Sequence, residues 1–137
     1  MTQEDKQLLL VDLCARIPYW VKVKVRYYYE YKDGTFQKYD EIKYFDAEIL
    51  DLLISGDRSL DAIKPYLRPL SSMTEEEQKE FVKFHCVNIC PIVLTENLTI
   101  SNEAEMFDWL NKKMFDYRGL IQKGLAISTE EFNPYKD

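Results

Sequence analysis

His85, Cys86 and Cys90, together with Cys14 far upstream, are the residues of this chain whose types could carry chemistry at a site. Imidazole and thiolate groups bind zinc, and four of them complete a tetrahedral shell. Structural zinc sites announce themselves by paired short spacings, whereas Cys86 and Cys90 form a single loose pair, so these four are weak metal candidates beside the reading of inert, packed cysteines. His85 is the only histidine and therefore the only ordinary general base at neutral pH. On a helix stripe it reads better as a packed residue with one satisfied nitrogen. The chain contains no nucleophile elbow, phosphate-cradling glycine loop or H-E-x-x-H, and its four glycines leave little room for one. No catalytic residue and no cofactor is assigned; an enzyme using His85 is the least favoured alternative.

A surface is easier to draw than a catalytic centre. Lys22, Lys24 and Arg26, flanked by Trp20 and Tyr28, alternate along one extended stretch. Residues 20–38 carry five positive and two negative charges, a local +3, while residues 39–63 carry two positive and seven negative, a local −5. Cations interleaved with aromatics can hold phosphates and stack bases, which makes single-stranded nucleic-acid binding an alternative. The acidic second arm alongside would cancel much of that field, and a solvated face that deters strand-to-strand aggregation explains the same residues. Tyr117 and Arg118, in the loop Asp116-Tyr117-Arg118-Gly119, add two interface-prone side chains. An ion pair to the adjacent acid is the structural reading of Arg118, and is favoured.

These side chains need an element to present them. Val21 to Tyr31 alternates strictly, apolar or aromatic at odd positions and mostly charged at even ones, the period of a half-buried strand. Asp33-Gly34 reads as a two-residue hairpin turn. With those two as the loop, Val25 faces Ile42, Val23 faces Tyr44 and Arg26 faces Glu41, so that apolar meets apolar and opposite charges meet across the strands. A long hairpin over about 21–45 is the expected scaffold. Its tyrosine-bearing end outruns any helix available to cover it, which makes a homodimer through that end a reasonable expectation.

Around the hairpin, Thr2 and Asp5 form a capping pair for a helix over 3–16, with Leu10, Leu13, Cys14 and Ile17 as its apolar stripe and Leu9 widening it. The natural berth of that helix is the valine face of the sheet. Leu50, Leu52 and Ile54 alternate and predict a third strand over 48–54, closed into a second hairpin by Gly56-Asp57; Asp46 as a helix cap is the competing reading. Residues 59–63 are a candidate short fourth strand. Pro65 and Pro69 hold a connector over 64–73 extended and out of any central strand. Thr74 and Glu77 then form a capping box for a helix over about 75–86. Residues 87–100 have room for one short strand. Ser101 or Asn102 caps a third helix lined by Met106, Phe107, Leu110 and Met114, with Gly119 as its stop and 120–127 packing back on the body. Residues 128–137 read as a loose tail.

The 137 residues suit one α+β domain: a β-meander of three to four strands over 20–63 and a helical half over 74–127. Apolar residues at 46% exclude disorder, and a net charge of −6 excludes a broad nucleic-acid footprint. Three cysteines without a framework fit a reducing compartment, and no apolar run is long enough for a membrane span, so a cytoplasmic location is expected.

Three sets of residues carry a resemblance: Ile63 to Glu77, Trp109 to Ile121, and Asp12 to Arg16 with Pro18-Tyr19. They resemble a group of short uncharacterised proteins of gut Bacteroidales genomes and their phages or other mobile elements. In that group a glycine commonly follows the Pro-Tyr pair, where this chain has Trp20. The resemblance implies a provenance and no activity. The function expected is therefore that of a non-catalytic accessory or protein-interaction domain associated with a phage or mobile element, with a protein partner or a second copy favoured over nucleic acid.

Overall fold

A computed structural model describes the backbone of residues 1–89 and 96–136, and the side chains of 1–84 and 103–136. The fold is α+β, as expected. In chain order it runs α1 (Gln3–Arg16), β1 (Lys22–Glu30), β2 (Phe36–Tyr44), α2 (Ala47–Ser55), β3 (Ile63–Leu67), α3 (Glu75–Ile89), α4 (Glu96–Lys112) and β4 (Ile127–Ser128). The sheet order is β2-β1-β3-β4, antiparallel except for the β3–β4 pair. The third strand thus returns to β1 instead of extending the meander past β2.

Local signals built α1 as predicted: Thr2 Oγ1 accepts from the Asp5 amide at 3.0 Å and Asp5 returns the bond to Thr2. Its buried face is Leu9, Asp12, Leu13 and Arg16, however, and Cys14 is exposed. The helix is turned away from the stripe Leu10-Leu13-Cys14-Ile17 because Asp12 and Arg16 neutralise each other one turn apart and can be buried together. Leu9 and Leu13 pack on Val21, Val23 and Val25 with Phe45, Ile63 and Leu67, so the valine face is indeed its berth.

The hairpin forms, but its register is one residue away from expectation. The loop has three residues, Lys32 to Gly34: the Tyr31 amide donates to the Thr35 carbonyl and Gly34 donates back to Tyr31. Gly34 takes φ 88°, and Asp33 Oδ1 accepts from both the amide and the hydroxyl of Thr35. A turn closed by one left-handed glycine suits the strand twist as well as a two-residue loop does. Val25 now faces Glu41, Arg26 faces Asp40 and Tyr27 faces Tyr39. Matching apolar with apolar misled because it presumes two buried strands; β2 is exposed at all nine positions, so Glu41 stays in water.

Residues 48–54 are helical, not a strand. Asp46 Oδ1 accepts from the Ile49 amide at 3.1 Å and Gly56 ends α2 at φ 86°. Ile49, Leu50 and Leu53 meet the core, while Ile54 is exposed. Residues 59–62 form a turn, and β3 starts at Ile63, so the connector's first half is a strand flanked on both sides. Pro65 is tolerated there because its missing N–H lies on the side away from β1. Lys64 and Tyr66, its neighbours, turn toward β1, and β4 begins pairing only at Tyr66.

In the second half the Thr74–Glu77 box is present, with bonds of 3.1 and 3.2 Å. α3 runs on to Ile89 and α4 starts at Glu96, so residues 87–89 and 96–100 are helical, while 90–95, the rest of the span expected to hold a short strand, lie outside the described residues; Ser101 and Asn102 lie inside a helix instead of capping it. α4 stops at Lys112, before Gly119: the Phe115 amide bonds Leu110 O and the Met114 amide bonds Asn111 O, with Met114 at φ 64° where glycine is usual. The tail is tied down. Thr129 donates to Leu67 O, and the Tyr135 hydroxyl sits between β1 and β3, accepting from the Lys22 amide at 2.9 Å and donating to Tyr66 O at 2.9 Å. Lys22 and Tyr66 would be the next pair of that ladder, so one phenol stands in for the hydrogen bond between them.

Candidate interaction surface

Side chains alternate across β1, so Lys22, Lys24, Arg26 and Tyr28 share the sheet face opposite α1. The observed register sets beside them Tyr44, Ile42, Asp40 and Lys38 of β2, and β3 adds Lys64 opposite Lys24. Sequence reasoning missed these five. Counting a three-residue loop would have found the β2 members; Lys64 had no local signal.

The cations on this face are partly spent. Asp40 reaches Arg26 at 3.1 Å and Lys24 at 3.4 Å, and the Arg26 hydrogen bond chiefly holds its carboxyl below the usual range. Lys22 Nζ donates to Pro134 O at 2.8 Å and lies 5.0 Å from the Tyr44 ring. Lys64 has no ion-pair partner among the described residues. A shallow basin of about 450 Å³ is lined by the cations Lys24, Arg26 and Lys64 and by the carboxylates Asp40, Asp61 and Glu131. Its balanced charges suit a polar protein surface better than a phosphate chain.

Beyond Val25 no third strand among the described residues pairs with β1. β3 pairs with β1 only from Val23 to Val25, so Arg26–Glu30 and their β2 partners form a two-stranded ribbon. At about 3.3 Å per residue it projects roughly 17 Å before the turn. Tyr27 and Tyr39 stack at 5.3 Å on one side, with Arg58 4.1 Å from the Tyr27 ring. Tyr28, Tyr29 and Phe36 are exposed.

Trp20 sits at the base of this face, 68% exposed, its ring edge-on to Tyr44 at 5.7 Å. Its backbone is left-handed, φ 62° and ψ 46°, where an L-residue crowds its own Cβ. The chain therefore holds the most exposed aromatic side chain among the described residues in a conformation glycine would adopt freely.

Tyr117 and Arg118 belong elsewhere. Arg118 Nη1 donates to Asp12 Oδ1 at 2.7 Å, from 106 residues away, and not to Asp116 as the sequence suggested. Asp12 also takes Arg16 Nε at 2.9 Å and Nη2 at 3.1 Å, and Arg16 Nη2 reaches Phe115 O at 2.7 Å. Asp116 instead accepts from the amides of Leu120 and Ile121 at 2.9 Å. Tyr117 donates to Asn111 Oδ1 at 2.8 Å with the Arg118 guanidinium 4.5 Å from its ring. This is a charge network that ties the C-terminal turn to α1, separate from the sheet face.

Of the candidate metal ligands, Cys14 is an exposed free thiol on α1. The side chains of His85, Cys86 and Cys90 lie outside the described residues, and so does the general-base reading of His85. No helix among the described residues is long and apolar enough to cross a membrane. No family model, no curated protein and no solved structure matches this chain.

Proposed function

We propose that this chain is a non-catalytic accessory domain that works by binding protein through the outer face of its hairpin, at Trp20, Lys22, Lys24, Arg26 and Tyr28. The observation that carries this reading is the two-stranded end of the hairpin: it extends past β3 with Tyr28 and Phe36 open to solvent on that outer face. Contiguous exposed aromatics rimmed by charge mark interaction sites, because burying them on a partner recovers the hydrophobic energy that folding left unused. The resemblance to short proteins of Bacteroidales and their mobile elements supports an accessory, phage-associated role. The exposed thiol of Cys14 supports a cytoplasmic location, since reducing conditions preserve it. The test is affinity capture from the native host, with wild type beside the Trp20→Ala, Tyr28→Ala double variant. A partner held by wild type and lost by the folded variant is expected; equal capture by both would sink the reading. Single-stranded nucleic acid is the second reading, favoured by Lys64 joining Lys22, Lys24 and Arg26 on one face. It requires retention on an oligonucleotide that weakens steeply with salt.

A further inference from the structure

β2 ends the sheet, and no strand among the described residues pairs with its outer edge. The hydrogen-bonding direction along it follows from two bonds: Tyr31 pairs with Thr35 and Phe45 with Val21, so odd-numbered residues of β2 turn their amides and carbonyls toward β1. Phe36, Lys38, Asp40, Ile42 and Tyr44 turn theirs outward. An exposed strand edge of this length invites another strand, and charges normally guard against it.

Here the charges select a partner. Two copies of β2 related by a two-fold axis perpendicular to the sheet pair antiparallel, with one residue facing itself on the axis. Centring on Lys38 sets lysine on lysine; Asp40 sets aspartate on aspartate; Glu41 sets glutamate on glutamate. Centring on Ile42 leaves only a short overlap before Phe45 turns into the core. Centring on Tyr39 stacks tyrosine on tyrosine, sets Lys38 against Asp40 twice, and sets Phe36 against Ile42 twice. All of these residues are exposed.

We infer that the β2 edge binds β2 of a second copy of this chain, antiparallel about an axis through Tyr39. About eight main-chain hydrogen bonds would join the strands over residues 36–42, and the two sheets become one. The axis keeps the outer faces on the same side, so the aromatic surfaces of both copies form one platform. This deepens the proposed function and rests on it, by naming one partner of the arm as the chain itself.

Sedimentation equilibrium across the micromolar range reads the assembly directly. Wild type is expected at twice the 16.3 kDa chain mass. Lys38→Pro removes an outward N–H and the exposed lysine ammonium 5.7 Å from the Tyr28 ring but no hydrogen bond to β1, so it is expected to return the mass to one chain with an unchanged circular dichroism spectrum. Tyr39→Cys in a Cys14→Ser background is expected to form a disulfide-linked dimer under mild oxidation. A non-hydrogen-bonded pair places its Cα atoms about 4.5 Å apart, within disulfide reach. Glu41→Cys, whose copies lie about 13 Å apart in this register, is expected not to cross-link. A wild-type monomer overturns the proposal, as does a dimer that cross-links through position 41 and not 39; the latter decides even where Lys38→Pro fails to fold. Wild type that is monomeric yet captures a host partner overturns the second copy alone and leaves the outer-face reading standing.

Discussion

Trp20 offers a test in which the sign of an effect, rather than its size, decides. At an ordinary position glycine is less stable than alanine by about 0.5–1 kcal/mol, because it loses more backbone entropy on folding. At φ 62° the order should reverse. An L-residue there carries about 1–2 kcal/mol of steric cost that glycine escapes, leaving Trp20→Gly about 1 kcal/mol more stable than Trp20→Ala. The ring itself contributes little: its one aromatic contact among the described residues is the edge-on approach to Tyr44, worth about 0.5 kcal/mol at so exposed a site. Trp20→Ala should therefore fall about 0.5 kcal/mol below wild type and Trp20→Gly rise about as far above it. Urea denaturation resolves the difference, and thermal unfolding should separate the two variants by about 3 °C. Capture of a partner should be lost in both, so that in Trp20→Gly stability and binding move in opposite directions. That is the pattern of a side chain kept for function at a cost to the fold. Alanine equal to or more stable than glycine would refute the strain, and with it the claim that Trp20 is held against its backbone preference.

Two further tests address how the body is tied together. Glu77 takes a two-pronged bond from Arg68 at 2.7 and 2.8 Å, and that bond chiefly lowers its carboxyl from 4.5 to about 2. At 1.36 kcal/mol per pH unit this links about 3 kcal/mol to folding, reduced to about 2 by the solvent that reaches the pair. A depressed carboxyl contributes fully above pH 4.5 and loses its contribution as pH falls toward 2. Glu77→Gln should lower stability at pH 6 and flatten the pH profile over that window; parallel profiles would exclude the pair as its source. Burial pushes the Tyr135 phenol up to about 12, so its contribution holds below pH 10 and fades as pH rises through 12. Tyr135→Phe leaves the Lys22 amide and the Tyr66 carbonyl without the hydroxyl, which should cost about 1–3 kcal/mol and abolish the latest phase of the ultraviolet tyrosine titration. An unchanged titration would mean the hydroxyl is not wedged between the strands.

The sequence by itself determined what rests on neighbours a few residues apart. Thr2 with Asp5 and Thr74 with Glu77 form their boxes because side chain and amide lie within one turn, so α1 and the start of α3 were legible. The period of two from Val21 to Tyr31 likewise made the hairpin and its valine face legible, and the unmet tyrosine end with it. Where two local patterns competed, the chain alone could not choose. Leu50, Leu52 and Ile54 fit a strand as well as Ile49, Leu50 and Leu53 fit a helix, and only the core waiting beside Ile49 decided. The tertiary structure also decided every pairing across long separations. Register followed from Gly34 and from β2 lying outside the core; Arg118 found Asp12, and Tyr135 found the gap between Lys22 and Tyr66. Such contacts are set by which elements pack together, and packing is a sum over the whole chain that no local spacing encodes.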